Sequence, residues 1–234
     1  RATPRAWVTI ALVAANVAVR GGALADAAGK EGTADLIGGM LSKGAGNRDA
    51  LQFAQALDGA GGSLGFGSSR EAITASAQFL SKDSALMLSL LADALLRPKM
   101  EQAEFDKLRK RAIDGIANAK DSDPRQLTPI YSGAWLFRGH PYGRPVGGSE
   151  SSLAGITLDD VRQYYAGQVG GDRLVLVVVG DFDAETIAWV FERLGINVVV
   201  TDSDERLGRL ADVRARRGRG FTVFRSGDRV ATTT

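Results

Sequence analysis

The stretch Leu174-Val-Leu-Val-Val-Val179 sets six apolar residues in succession, four of them valine. A run so short and so rich in β-branched side chains reads as a strand buried in the middle of a sheet. Gly180-Asp181-Phe182-Asp183 follows as a turn into a helix with Ile187, Val190, Phe191 and Leu194 in register. Strand, turn, helix is the natural reading, and the rest of the chain supplies more of both elements.

Trp7 to Val19 is largely apolar, with Val8, Ile10 and Leu12 among small or β-branched neighbours, and closes on Arg20-Gly21-Gly22, as a buried strand would. A signal-peptide core is the alternative for this run, which is too short for a membrane span. Thr33 is the expected cap of a helix that stops at Gly44, with Leu36, Ile37 and Met40 as its buried stripe. Gly38 and Gly39 inside it cost about 1 kcal/mol each against alanine, so they serve close backbone packing. Asn47 is the expected cap of a second helix carrying Leu51, Ala54 and Leu57.

Residues 63–80 read as a hairpin with a polar centre at Ser68 to Glu71. Gly62, Gly65 and Gly67 leave its first strand flat and bare, an edge that another backbone can approach; a weak edge strand without ligand is the alternative. Asp83 should cap a core helix from Ser84 to Leu96, and a longer helix, about Glu101 to Lys120, carries Phe105, Leu108, Ala112, Ile116 and Ala119 in register. Asp123-Pro124 opens a helix to Phe137 that Pro129 should kink near its first turns. A Gly/Pro loop over 139–145 follows, then Thr157 with Asp160 approximates a capping box for a helix through Tyr164 and Tyr165, and Ile196 to Val200 gives one more strand.

Composition narrows the chemistry. With 234 residues, 44% hydrophobic and 24% charged, the chain is of the globular class, and a net charge of +2 argues for neither nucleic acid nor membrane. The absence of cysteine excludes disulfides, thiolate catalysis and Cys-ligated metals. The single histidine, His140, lies in the Gly/Pro loop and reads as structural, and a set made of Asp35, Asp114 and His140 would be poor for zinc. Arg70 and Arg144 read as solvated side chains rather than ligands for a peptide carboxylate. Residues 201–220, with Arg206, Arg209, Arg214, Arg216, Arg217 and Arg219, read as an Arg-rich linker; a nucleic-acid-binding arm would need interleaved aromatics.

Several stretches taken in order resemble the amino-terminal half of a pitrilysin/insulinase-family protein: Arg20-Gly21-Gly22, Gly32 to Gly44, Gly61 to Glu71, Arg97-Pro98, His140-Pro141-Tyr142-Gly143-Arg144-Pro145 and Val177 to Phe182. The resemblance implies an α+β fold in which a mixed, mostly antiparallel sheet is covered by helices on one face. It implies an amino-terminal-type domain over residues 1–200, a linker over 201–220, and the truncated start of a second half over 221–234. In such proteins two halves close around an extended peptide.

The family's helix carries H-x-x-E-H, where two histidines one turn apart hold Zn²⁺ and the glutamate activates water. Carried over by position, the first histidine falls on Asp35, the glutamate on Gly38 and the second histidine on Gly39. The third ligand, a glutamate of a later helix, falls at or beside Gly115, and a neighbouring acidic residue falls on Leu108. No catalytic residue and no metal ligand is therefore expected. The family's peptide-pairing edge strand matches Gly62, Ser63, Leu64, Gly65, Phe66 and Gly67, with Gly65 and Phe66 in place of its Asn-Ala pair.

Such departures resemble the family's non-catalytic subunits. The implied function is a non-catalytic subunit or half that encloses an extended peptide and presents it to a zinc-bearing partner, with no peptidase activity of its own. No cofactor is expected, zinc belonging to the partner subunit only, and neither nucleic acid nor membrane is expected as a partner. A zinc-free peptide-binding or assembly module, and an active hydrolase with a relocated site, are the alternatives. The compartment stays open; the resemblance favours a soluble protein, periplasmic or secreted.

Overall fold

The computed structural model describes residues 12–170, 173–180, 197–202 and 221–225. Six strands form one sheet: β1 (Leu12–Arg20), β2 (Ser63–Ser68), β3 (Ala72–Leu80), β4 (Leu174–Gly180), β5 (Asn197–Asp202) and β6 (Phe221–Arg225), in the order β2-β3-β1-β4-β5-β6. β2, β3, β1 and β4 pair antiparallel, whereas β5 and β6 join in parallel. The helices are α1 (Thr33–Met40), α2 (Ala50–Ala60), α3 (Ser84–Leu96), α4 (Gln102–Ser122), α5 (Thr128–Leu136), α6 (Glu150–Gly155) and α7 (Leu158–Gln168). None among the described residues is long and apolar enough to cross a membrane.

Alternation along the strands decides which face is buried. Val13, Ala15, Val17 and Val19 of β1, Ile73, Ala75, Ala77 and Phe79 of β3, and Leu174, Leu176 and Val178 of β4 form one core with Ile37 and Met40 of α1 and Leu88 and Leu91 of α3. The helices therefore cover one face of a mixed, mostly antiparallel sheet, as the resemblance implied. The reading of Leu174 to Val179 as a buried strand holds for that face only. Val175 and Val179, 48% and 47% exposed, point to the other face, which no described helix covers.

The caps differ from the sequence reading because carboxylates near each helix start satisfy its first N–H groups in place of the expected residues. Thr33 is the first residue of α1 rather than its cap; Gly32, at φ 102°, precedes it. The Asp26 carboxylate reaches in from the preceding turn to accept the Gly32 and Ala34 N–H groups at 2.8 and 2.9 Å. α2 is capped by Asp49, in a reciprocal box with Gln52, and not by Asn47. The Thr157–Asp160 box is present, and Lys30 Nζ joins Asp160 at 2.7 Å. The helix expected across Pro129 is divided: a 3-10 turn, Pro124–Leu127, precedes α5, and Pro129 occupies the first turn of α5, where its missing N–H costs least. Residues 221–225, expected to open a second half, pair with β5 as the outermost strand of this same sheet. Of the linker expected over 201–220, residues 201 and 202 end strand β5; its remainder, the helix after Asp183 and the segment Trp7 to Ala11 lie outside the described residues.

Asp26 and Asp160 give stability opposite dependences on pH. Burial pushes the Asp26 carboxyl up from 3.8 to about 6 against the pull of its two backbone donors, while the Lys30 hydrogen bond holds Asp160 down at about 2. A raised acid favours the protonated fold, so the Asp26 contribution is complete below pH 3.8 and is lost as pH rises through about 6. The Asp160 contribution is present above pH 3.8 and is lost as pH falls towards 2. About one pH unit of this displacement falls between pH 7 and pH 5, so denaturant melts should show stability rising by roughly 1 kcal/mol over that range. Asp26→Asn should flatten that rise; an equal rise in the variant would assign it to another group.

Candidate functional site

α1, α4 and β2 meet where the sequence places the lost metal site. Asp35 is exposed, and its Oδ1 accepts a hydrogen bond from Ser68 Oγ at 2.9 Å. Gly38 is buried, and a Cβ on it would lie 3.2 Å from the carbonyl carbon of Gly67 and 3.3 Å from its Cα. The β2 backbone thus rests directly on α1, so close that a side chain at Gly38 would have to push it back by a few tenths of an ångström. Gly39 faces α4, where a Cβ would sit 3.2 Å from Leu108 Cδ1.

Gly115 stands apart. It lies two helical turns beyond Leu108, on the same side of α4 and roughly 10 Å along the axis. A Cβ there would meet nothing within 4 Å. The structure therefore gathers Asp35, Gly38, Gly39, Leu108, Gly67 and Ser68 at one place, with Gly115 two turns further along α4 in open space.

Zinc does not fit this set. Catalytic zinc takes three nitrogen, oxygen or sulfur ligands from the protein, and among these positions only Asp35 and Ser68 carry side-chain oxygens, which are bonded to each other. Among the described residues no group of three or more His, Cys, Asp or Glu side chains is placed to hold a metal ion. The two glycines are sites of close packing, by backbone at one and by leucine at the other.

Among the described residues β2 is an edge of the sheet, bonded on one side to β3 alone. The Ser69 N–H donates to Ala72 O at 2.7 Å and fixes the phase of the ladder. Bonded pairs recur at every second residue of an antiparallel pair. Ser63, Gly65 and Gly67 therefore turn their N–H and C=O towards β3, and Leu64, Phe66 and Ser68 turn theirs away from the sheet. The side chains of Leu64 and Phe66 pack against the helical core, while Gly65 and Gly67 lie opposite Ser76 and Thr74 on the open face. Gly62 precedes the strand; a Cβ there would meet Met87 Cε at 2.8 Å, so its glycine makes room for the core.

The hairpin tip is fastened to the Gly/Pro loop. Arg70 Nε donates to Tyr142 O at 3.2 Å with its guanidinium 5.7 Å from the Tyr142 ring centre, and the Tyr142 hydroxyl bonds Glu71. His140 Nδ1 accepts the Tyr142 N–H at 3.2 Å, and the two rings meet edge to face at 5.1 Å. His140 is a structural residue of the loop. Arg70, read from the sequence as solvated, is half-buried and tethers the hairpin. No local pattern announces that tether, because Arg70 and Tyr142 are far apart in the chain. Asp26 was missed because it stands six residues before Gly32, outside the three-residue spacing of a capping box.

Residues 8–150 match the family model described as "Insulinase (Peptidase family M16)". The chain is 30% identical over 169 residues to an uncharacterized zinc protease of Mycobacterium leprae, covering 72% of this chain and 38% of that protein. It is 27% identical over 202 residues to the mitochondrial-processing peptidase subunit beta of Lentinula edodes, covering 85% and 42%. Among solved structures, a peptidase M16 inactive domain from Pseudomonas fluorescens has a similar fold, with a TM-score of 0.72 at 23% identity over 78% of this chain and 45% of that one. The chain spans about two-fifths of the length of these two curated relatives.

Proposed function

Since this chain belongs to the insulinase family, peptidase family M16, we propose that it acts as a non-catalytic subunit or half of a zinc peptidase, helping to enclose an extended peptide and to present it to a zinc-bearing partner. The observation that carries this reading is the filled space on α1. Gly38 lies against the Gly67 backbone and Gly39 against Leu108, where the family's base and second histidine would stand. β2 supports the peptide-binding part of the reading, since its outward backbone groups at Leu64, Phe66 and Ser68 are free to pair with an added strand. The relative in Pseudomonas fluorescens is itself described as an inactive domain.

Proline substitutions along β2 test it. Phe66→Pro removes an outward donor, so association with an extended peptide or a zinc-bearing M16 subunit should weaken about tenfold, the worth of roughly one hydrogen bond. Gly65→Pro removes a donor of the β2–β3 ladder and should instead lower folding stability, by about 1–3 kcal/mol. Co-purification with a zinc-bearing subunit, and a faster peptidase rate of that subunit in the presence of this chain, are the expected results. Peptide binding without any effect on such a subunit would favour an independent peptide-binding module. Unchanged affinity in Phe66→Pro would remove β2 from the interface.

A further inference from the structure

We propose that the open face of the sheet carries a second binding site, separate from β2, for a small amphipathic anion: a carboxylate head on a short apolar body, held between Arg20 and Arg173. Ala18 of β1, Ala72 of β3 and Val175 of β4 turn towards this face and, with Leu24 of the 3-10 turn Gly22–Ala25, floor a cleft of about 530 Å³ bordered by the two arginines. That volume is within the roughly 300–1,000 Å³ of small-molecule sites. Leu24 and Val175, 38% and 48% exposed, leave apolar surface uncovered inside it.

The charges at its rim are arranged for an anion. Val19 pairs with Leu174, so Arg20 and Arg173 come opposite each other one step further along the antiparallel pair. Like charges directly across a strand pair repel. Among the described residues neither arginine forms an ion pair. Glu71, which also borders the cleft, is bonded to the Tyr142 hydroxyl, and the Arg173 guanidinium is oriented by Gln168 Oε1. A carboxylate between the guanidinium groups converts this repulsion into two charge-assisted hydrogen bonds, and the hydrocarbon behind it lies on Ala18, Leu24 and Val175. The ligand is a free monocarboxylate or the last residue of a peptide that ends in an apolar side chain; the recognition chemistry is the same.

Calorimetric titration of the chain with octanoate, and with N-acetyl-Leu-Leu bearing a free carboxylate, tests the site against octanol and the amidated dipeptide as neutral controls. At least one of the two carboxylates should bind saturably and raise the thermal midpoint, and its control should not. Binding by octanoate alone identifies a free acid as the ligand class; binding by the dipeptide alone identifies a peptide terminus. Arg20→Gln and Arg173→Gln should each weaken binding about tenfold or more, the effect of losing one charged partner. Both variants should melt without ligand no lower than the wild type, since each removes a like-charge contact. Absence of saturable binding by either carboxylate at millimolar concentration, equal binding by the neutral controls, or affinity retained in both variants would overturn the proposal.

Discussion

Gly38→Glu should cost the fold about 1–3 kcal/mol through overpacking, while Gly115→Glu should cost nothing. At Gly38 the obstacle to a Cβ is the backbone of Gly67, at 3.2 to 3.4 Å, and backbone cannot swing aside as the end of a side chain can. Relief requires β2 to lift from α1, which also stretches the Ser68–Asp35 bond and loosens Leu64 and Phe66 from the core. At Gly115 a side chain enters open space, and replacing a glycine inside a helix stabilises it by up to about 1 kcal/mol. Gly39→His should be intermediate, because the neighbour there is the Cδ1 of Leu108, which can change rotamer. Denaturant melts of the three variants give the order. An unperturbed Gly38→Glu would mean that this face of α1 is as open as a working active site.

The same contrast shows what the sequence could reveal. Strands β1 and β4 were legible as short apolar runs rich in β-branched residues, β3 as the second arm of a hairpin, and α3 and α4 because their apolar residues recur with helical spacing. The glycine pair in α1 was legible as a packing signal, since two such residues inside a helix need a reason. What the sequence could not tell was the identity of the neighbours, Gly67 at one and Leu108 at the other. Nor could it show that Val175 and Val179 face outward, because a run of valines has no period that marks a single buried side. Arg70 acts on a residue far along the chain, and its role arises only when the fold brings Tyr142 to it, while Asp26 acts over six residues, a spacing that no capping pattern marks. The cleft beside Arg20 is likewise a product of register, made by pairing β1 with β4.

On the proposed reading, this M16 chain lacks metal chemistry of its own and keeps a framework for an extended peptide. Rebuilding the motif by Asp35→His, Gly38→Glu and Gly39→His should therefore fail to give a peptidase. Gly115 still supplies no third ligand, and the new glutamate displaces the strand that packs on it. His140 cannot substitute, since its Nδ1 is engaged by the Tyr142 N–H in a loop held by Arg70. For the unaltered chain the decisive measurement is metal content after purification in excess zinc, taken together with cleavage of an unstructured peptide by the same sample. The expected result is no stoichiometric zinc and no cleavage. One tightly held Zn²⁺ per chain, released by Asp35→Ala and accompanied by peptide hydrolysis, would contradict the account.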